Sequence, residues 1–259
     1  MLYRTFNRTG ARVSLLGFGA MRLPTVDGKV DEAESIRMIR HAIDNGVNYV
    51  DTAYMYHDGV SEVIVGKALK DGYREKVFLA DKLPVWFAKE ASDVPKIFET
   101  QLERLDTDID MYLVHSIEEG NMKRLKEFNV YDYVRGLRDS GKIKQLGFSY
   151  HGKTTEFFKE TIDSLDWDFC QIQLNYMDKD IQAGVEGLKY AGEKGVSVVV
   201  MEPLKGGKIT GRVPDRIQAI WDEAPVKRTP AEWGLRWVAD FPEVTTILSG
   251  MTTMEQLDE

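Results

Sequence analysis

The chain has 259 residues, a length that suits a single α/β barrel of roughly 250 residues and buries a sizeable core without staples. Its 42 acidic against 34 basic residues give a net charge of −8, which argues against nucleic acid or an anionic membrane as a partner held by bulk charge. Cys170 is the single cysteine, so an intrachain disulfide, a cysteine-held zinc and an iron–sulfur cluster are excluded. His41, His57, His115 and His151 form no His-x-His or His-x-x-x-His pair, so no metal site is expected.

The N-terminal stretch Met1–Arg8 carries no apolar signal-peptide core, and the longest apolar run, near Val196–Met201, is too short to cross a bilayer. A cytoplasmic protein is the expectation. Tyr3–Phe6 and Arg12–Leu15, separated by Asn7-Arg8-Thr9-Gly10-Ala11, read as a β-hairpin. Eight short apolar, β-branched runs follow at intervals of roughly 30 residues. They are Leu15–Phe18, Val47–Val50, Val77–Ala80, Met111–Val114, Lys144–Phe148, Phe169–Ile172, Val196–Val200 and Val244–Leu248. Near-continuous apolarity suits strands buried on both faces of a parallel sheet.

Amphipathic helices alternate with these strands. Ile36, Ile39, Ala42 and Ile43 share one helical face, as do Val94, Ile97, Phe98, Leu102 and Leu105. Gly46, Gly72, Gly141 and Gly195 stand where left-handed C-caps belong, and Thr229-Pro230-Ala231-Glu232 combines an N-cap, a proline at the first turn and a capping-box glutamate. With no break in composition, residues 1–259 are expected to form one (β/α)8 TIM barrel preceded by the hairpin. The connection from Met201 to Arg228 is long, as functional loops often are. The last helix has only just begun at Thr253–Glu259, and it is expected to be incomplete as a cover for strands eight and one.

Catalytic groups of such barrels lie where strands end and βα loops begin. Strand two ends in Asp51 and leads to Tyr56, strand three ends in Asp81-Lys82, strand four in His115 and strand five in Ser149-Tyr150-His151. A lysine buried at a strand end needs a counter-charge, which Asp51 could supply. A tyrosine beside that ammonium is expected to have its phenol pKa pulled below about 10, and a histidine could direct a carbonyl oxygen. Such a set suits protonation of a developing alkoxide. Each residue alone has a plainer use: Asp51 as a turn cap, Tyr56 in packing, Lys82 in a solvated loop, His115 in the core. The case rests on all four falling at adjacent strand ends.

Asp51-Thr52-Ala53-Tyr54-Met55-Tyr56, Lys82, Tyr112-Leu113-Val114-His115 and Gly147-Phe148-Ser149 together resemble the aldo-keto reductase superfamily. The opening Tyr3-Arg4-Thr5-Phe6 through Leu16-Gly17-Phe18-Gly19 and the closing Ser249-Gly250-Met251-Thr252-Thr253-Met254-Glu255-Gln256-Leu257 resemble it too. Met201-Glu202-Pro203-Leu204-Lys205-Gly206-Gly207 resembles a microbial branch whose longer members carry a C-terminal 4Fe-4S ferredoxin-like segment, absent here.

The resemblance implies reduction of an aldehyde or ketone to an alcohol by NADPH, with NADH as a possible substitute and no metal. Tyr56 would be the acid, tuned by Lys82 and Asp51, with His115 orienting a small-molecule carbonyl substrate. Gly19, Ala20, Met21, Ser149, Gln171 and Met201 would hold the nicotinamide end of the cofactor. Pro203, Leu204 and Gly206 would approach the pyrophosphate, and Ser249, Gly250, Met251 and Gln256 the adenosine phosphate. Apart from the resemblance, Trp86 and Phe87, just after Lys82, could wall the substrate pocket or serve only in packing at the barrel rim.

Four positions depart from the family pattern. Tyr150 replaces a common asparagine, and Met201 replaces a stacking aromatic. Gly250 and Gln256 stand where NADPH-selective relatives carry Lys and Arg, so discrimination between the two cofactors is expected to weaken. Lys205 or Lys208 could compensate. No nucleic-acid or membrane partner is expected, and the chain is expected to be a monomer or a weak homo-oligomer. Two other readings stand beside this one: a non-catalytic nicotinamide-sensing module on the same fold, and a Schiff-base lyase using Lys82.

Overall fold

The structure is a computed structural model that describes residues 1–211 and 213–259. Eight parallel strands close into a barrel in sequence order, the last pairing with the first. They are β1 (Leu16–Gly19), β2 (Tyr49–Asp51), β3 (Phe78–Leu83), β4 (Met111–Ile117), β5 (Gln145–Tyr150), β6 (Phe169–Gln173), β7 (Ser197–Met201) and β8 (Val244–Ser249). The expected (β/α)8 barrel is the fold.

Every strand ends one to three residues later than its apolar run suggests and five also begin one or two residues later, and both ends have a reason. Val47 and Val196 are not yet in strand: their N–H groups bond back to the Ala42 and Ala191 carbonyls at 3.0 and 2.9 Å. These are the closing bonds of Schellman turns in which Gly46 and Gly195, at φ +95° and +72°, take the left-handed position. Each valine is thus the apolar residue after a helix stop. At the other end the strands run on into polar residues that break the apolar pattern: Asp51, Asp81-Lys82, His115 and Ser149.

Strand alternation divides the core in two. Val50, Leu79, Tyr112, Val114, Phe148, Cys170, Ile172, Val198 and Val200 pack outward against the helices. Tyr49, Ala80, Met111, Leu113, Phe169, Val199 and Leu248 pack inward and fill the bore. The same alternation carried one step further brings Asp51, Lys82, His115, Ser149, Gln171 and Met201 to the bore at the C-terminal ends of their strands. Tyr150, one residue past Ser149, faces the helices, where it meets Phe157 and Phe158 and its hydroxyl donates to the Thr154 carbonyl.

The hairpin pairs Tyr3–Thr5 with Arg12–Ser14 and plugs the N-terminal end of the bore. Phe6 is fully buried, stacked 6.5 Å from Tyr49 and edge-on to Phe169 at 5.6 Å. The Arg4 guanidinium donates to the carbonyls of Ala239, Phe241 and Val244, tying the plug to the approach to β8. Gly147 leaves room for the plug's neighbour: a Cβ there would lie 2.7 Å from the Phe169 ring.

Two elements escape the sequence reading. Thr25–Val26 and Lys29–Val30 form a small ribbon around Asp27-Gly28, both at positive φ. The long connection after β7 holds a helix, Asp215–Glu223, which buries none of its side chains. The next helix, Pro230–Ala239, starts as expected, with Thr229 Oγ1 accepting the Glu232 N–H. The closing helix is five residues, Met254–Asp258, capped by Thr253.

Candidate active site

Lys82 organises the C-terminal end of the bore. Its ammonium donates to Asp51 Oδ1 at 2.5 Å and to the Thr52 carbonyl at 2.7 Å, and lies 3.4 Å from the Tyr56 hydroxyl. The lysine and aspartate side chains are 1% and 3% exposed, so solvent does little to screen the pair. Burial opposes the ammonium, but Asp51 and its neighbours outweigh it and the Lys82 pKa ends above its ordinary value. Burial likewise lifts the Asp51 carboxyl, with Lys82 pulling the other way. Gln101, fully buried, donates to the Lys82 carbonyl at 3.0 Å and accepts from the Tyr112 hydroxyl, which fixes the strand that carries the lysine.

The expected depression of the Tyr56 phenol does not appear. Burial raises it above 10, and Lys82 only partly offsets this. The reason is geometric. The ammonium's two short bonds go to Asp51 and Thr52, its bond to Tyr56 is the long one, and the Asp51 charge works against it. The phenol therefore stays protonated across the neutral range.

His115 stands edge-on to Tyr56 at 6.3 Å and 5.1 Å from the Trp86 ring. Burial, Lys82 and His151 depress its pKa well below 6.5, so the ring is neutral at pH 7. Its Nδ1 is buried without a partner among the described residues. Trp86 is half-buried here, whereas Phe87 is 49% exposed and packs on Tyr54 at the rim. His57, in the same loop as Tyr56, accepts the Leu23 N–H through Nε2 at 3.3 Å and so ties the β2 loop to the β1 loop.

Ser149 and Gln171 are register partners on β5 and β6. Ser149 Oγ accepts the Ser116 N–H at 2.7 Å, leaving its own proton uncommitted. Gln171 Oε1 is buried without a partner among the described residues, and its amide reaches only the Met201 sulfur at 3.6 Å. One free donor beside one free acceptor is what a carboxamide needs, so these residues fit the nicotinamide group of a dinucleotide. Tyr150, turned outward, adds nothing to that contact.

The remaining residues expected around a cofactor divide by position. Gly19 packs its Cα face against the Ser249 carbonyl, and Ala20 is buried with its carbonyl accepting from Ser61 Oγ. Met21, Gly206 and Gly250 are exposed, Leu204 is half-buried, and Pro203, Ser249 and Met251 are buried. Gln256 spends its side-chain oxygen on the Thr252 N–H and hydroxyl, completing a cap on the last helix. Lys205, named as a possible compensating cation, is paired with Asp178 at 2.5 and 2.6 Å.

Sequence reasoning missed four contributors. Gln101 is one. Asp81 and Glu62 are two more: both carboxylates are buried, each has one unpartnered oxygen, and Arg104 holds Glu62 at 2.7 Å. Burial and Glu62 push the Asp81 carboxyl well above the ordinary carboxylate range, just behind Lys82. The fourth, Arg22, follows β1 and lies against Gly206 and Gly250. A polar residue at an outward-facing strand position was the available signal for Asp81; a lone loop arginine gave none.

The sequence model of the aldo/keto reductase family matches residues 15–259. L-galactose dehydrogenase of Arabidopsis thaliana is 26% identical over 276 residues, spanning 99% of this chain and 86% of that protein. Aldo-keto reductase YhdN of Bacillus subtilis is 32% identical over 230 residues, 83% of this chain and 66% of that one. Among solved structures, the holo form of aldo-keto reductase AKR11C1 from Bacillus halodurans superposes with a TM-score of 0.83 at 26% identity, covering 100% of this chain and 89% of that one. The thermostable aldo-keto reductase Tm1743 in complex with the inhibitor epalrestat gives 0.82 at 26% identity, covering 100% and 92%. With the bore-end arrangement of Asp51, Tyr56, Lys82 and His115, and a family match over nearly its whole length, this chain belongs to the aldo/keto reductase family.

Proposed function

We propose that the protein reduces an aldehyde or ketone to an alcohol with NADPH or NADH, Tyr56 giving the proton. The observation that carries the reading is the three-way contact of the Lys82 ammonium with Asp51, the Thr52 carbonyl and the Tyr56 hydroxyl, buried at the mouth of the bore. When bound, the dihydronicotinamide supplies a hydride from C4 to the carbonyl carbon.

The chain's own residues do the rest. A phenol that stays protonated, 3.4 Å from an ammonium, donates its proton to the carbonyl oxygen as negative charge builds there. Lys82, kept charged by Asp51, then stabilises the phenolate that remains. His115, neutral, has one ring N–H with which to fix the direction of the carbonyl oxygen, and Trp86 beside it keeps water from that side. Ser149 and Gln171 hold the carboxamide through their free donor and acceptor. Pro203, Leu204, Gly206, Ser249, Gly250 and Met251, at the ends of β7 and β8, carry the phosphates and adenosine.

The lyase reading fares worse on the same geometry, because a lysine with a raised pKa and three occupied donors is a poor nucleophile. A sensing module would bind the dinucleotide and not turn over. Tyr56→Phe decides between these. On a panel of aldehydes and ketones, loss of the acid is expected to slow NADPH oxidation by about 10²–10⁴-fold while tryptophan quenching by NADPH persists. A rate within about tenfold of the parent would remove Tyr56 as the acid. Quenching without turnover of any carbonyl by the parent would favour the sensing module.

A further inference from the structure

Asp81 and Glu62 are fully buried carboxyls that the reaction scheme leaves unused. Asp81 stands on β3, one residue before Lys82 and facing the helices. Glu62 stands on the helix Val60–Ala68, which follows the Tyr56 loop. Each commits one oxygen: Asp81 Oδ1 accepts the Lys82 N–H at 2.7 Å, and Glu62 Oε2 accepts from Arg104 Nη1 at 2.7 Å. The other two, Asp81 Oδ2 and Glu62 Oε1, are buried and reach no donor among the described residues. Yet the two carboxyls are in hydrogen-bond contact with each other.

Two oxygens that only accept cannot hydrogen-bond unless a proton lies between them. The charges lead to the same place. Two cations stand near the pair. The Lys82 ammonium is bonded to Asp51, which leaves Arg104 to face two carboxyls. Tyr112, beside Asp81 on β4, gives its hydroxyl proton to Gln101 and so offers neither carboxyl a donor. A second, unbalanced negative charge away from solvent is strongly unfavourable. One proton removes that charge and satisfies both orphaned oxygens at once.

The helix Asp93–Leu105 connects the pair to the chemistry. On it, Gln101 donates to the Lys82 carbonyl at 3.0 Å, and Arg104, one turn on, donates to the Tyr54 carbonyl at 3.0 Å as well as to Glu62. The guanidinium carbon lies 4.4 Å from the Tyr54 ring centroid. At the far end of the same loop a Cβ on Gly59 would fall 2.7 Å from the guanidinium. Arg104 thus grips both ends of the loop in which Tyr56 stands.

We infer that Asp81 and Glu62 share a single proton, and that this acid–carboxylate pair, with Arg104, is the brace that holds the Tyr56 hydroxyl against the Lys82 ammonium. Both carboxyls are positioning residues, acting through Lys82 on one side and Arg104 on the other. The inference rests on the reading of Tyr56 as the acid and adds what fixes its distance from the ammonium.

Infrared difference spectroscopy of the free protein at pH 7 reads the proton directly. Parent minus Asp81→Asn should show the carbonyl stretch of a protonated carboxylic acid, shifted in D2O. Parent minus Glu62→Gln should show the same band, because either amide donates to the remaining carboxyl and lets it ionise. A band in neither difference would mean two carboxylates and overturn the shared proton. A band in only one would put the proton on that residue alone and overturn the sharing.

The brace is read in turnover. Asp81→Ala leaves Glu62 without the proton and should lower kcat per folded molecule about tenfold, short of the roughly 10²-fold that a 1 Å misplacement can cost. KM for the carbonyl and NADPH affinity by tryptophan quenching should stay within about twofold. Asp81→Asn should recover most of the loss. Arg104→Lys keeps a charge beside Glu62 and loses the grip on the loop, so it should lower kcat likewise and retain the infrared band. A lower melting temperature with kcat unchanged in both Asp81→Ala and Arg104→Lys would reduce the pair to a structural role and overturn the brace. A parent that turns over but lacks the acid band overturns the pair and leaves the Tyr56 reading standing. A folded parent that reduces no carbonyl overturns the Tyr56 reading, and the brace with it.

Discussion

Replacing Lys82 by methionine keeps the approximate volume of the side chain and removes its charge. Three acceptors lose their donor: Asp51 Oδ1, the Thr52 carbonyl and the Tyr56 hydroxyl. Asp51 Oδ2 already lacks a partner, so the carboxylate would be left with no hydrogen bond in a site where it is 2% exposed. Breaking a buried pair from one side costs roughly 3–5 kcal/mol. Protonation sets the ceiling at neutral pH. Taking a carboxyl with an unfolded pKa of about 3.9 to its neutral form at pH 7 spans about three units at ~1.36 kcal/mol each, or about 4 kcal/mol.

The sign of the pH dependence follows from that ceiling. In the variant the folded pKa of Asp51 lies above the unfolded one, so the folded state binds the extra proton and gains stability as the pH falls. Because burial already lifts the Asp51 carboxyl in the parent, the deficit relative to it should be at most about 4 kcal/mol at pH 7 and at most about 1.5 kcal/mol at pH 5. Urea unfolding of the parent, Lys82→Met and the double variant Asp51→Asn/Lys82→Met at both pH values measures it. The double variant should regain most of the loss at pH 7, because no carboxylate remains to be neutralised. A deficit below about 1 kcal/mol at pH 7, or one equal at both pH values, would refute the assignment of a charged pair screened from solvent.

Other consequences are simpler to check. Gly66→Ala would bring a Cβ within 2.2 Å of the Leu105 carbonyl, a backbone atom that cannot step aside; a loss of about 1–3 kcal/mol, read as a melting point lower by roughly 3–10 °C, is expected. Folded His115 resists protonation while the unfolded ring accepts a proton below about pH 6.5, so its contribution to stability is complete above that pH and is lost as the pH falls. His115→Gln should accordingly flatten the acid limb of the stability curve by up to about 1.4 kcal/mol per pH unit, and parallel curves would contradict this. Phe6→Ala, emptying the plug beneath Tyr49 and Phe169, should cost about 3–5 kcal/mol in chemical unfolding. Ser149→Ala and Gln171→Leu should each weaken NADH binding while leaving the melting temperature of the free protein nearly unchanged, which a purely structural role would not allow.

The barrel was legible because its strands are buried on both faces and its helices stop at glycines, two signals that repeat every 30 residues or so. What misled was their overlap. Val47 and Val196 are apolar for the sake of the turn that precedes the strand, and they made each run look earlier than it is. Three of the four proposed catalytic residues, Asp51, Lys82 and His115, were legible because each breaks an apolar run at a strand end; Tyr56 follows in the loop after β2. The phenol pKa was not, because it depends on how deeply the fold buries Tyr56, which outweighs the nearby ammonium. The helix Asp215–Glu223 left no trace in the core pattern because it contributes nothing to the core. The setting of Arg22 was invisible for a related reason: the two glycines it lies against are more than 180 residues away in sequence.

The contacts of Arg4 bear on how the chain acquires its shape. Its partner carbonyls, from Ala239 to Val244, are the last part of the barrel to be made, and β1 finds its second neighbour only when β8 exists. At a synthesis rate of about 5–20 residues per second, the first strand waits roughly 12–50 s with one edge unpaired. During that interval the barrel cannot close, and the apolar residues that fill its bore have no complete wall around them. A ribosome-bound intermediate ending before Val244 should accordingly recruit chaperones that a chain released past Ser249 no longer needs.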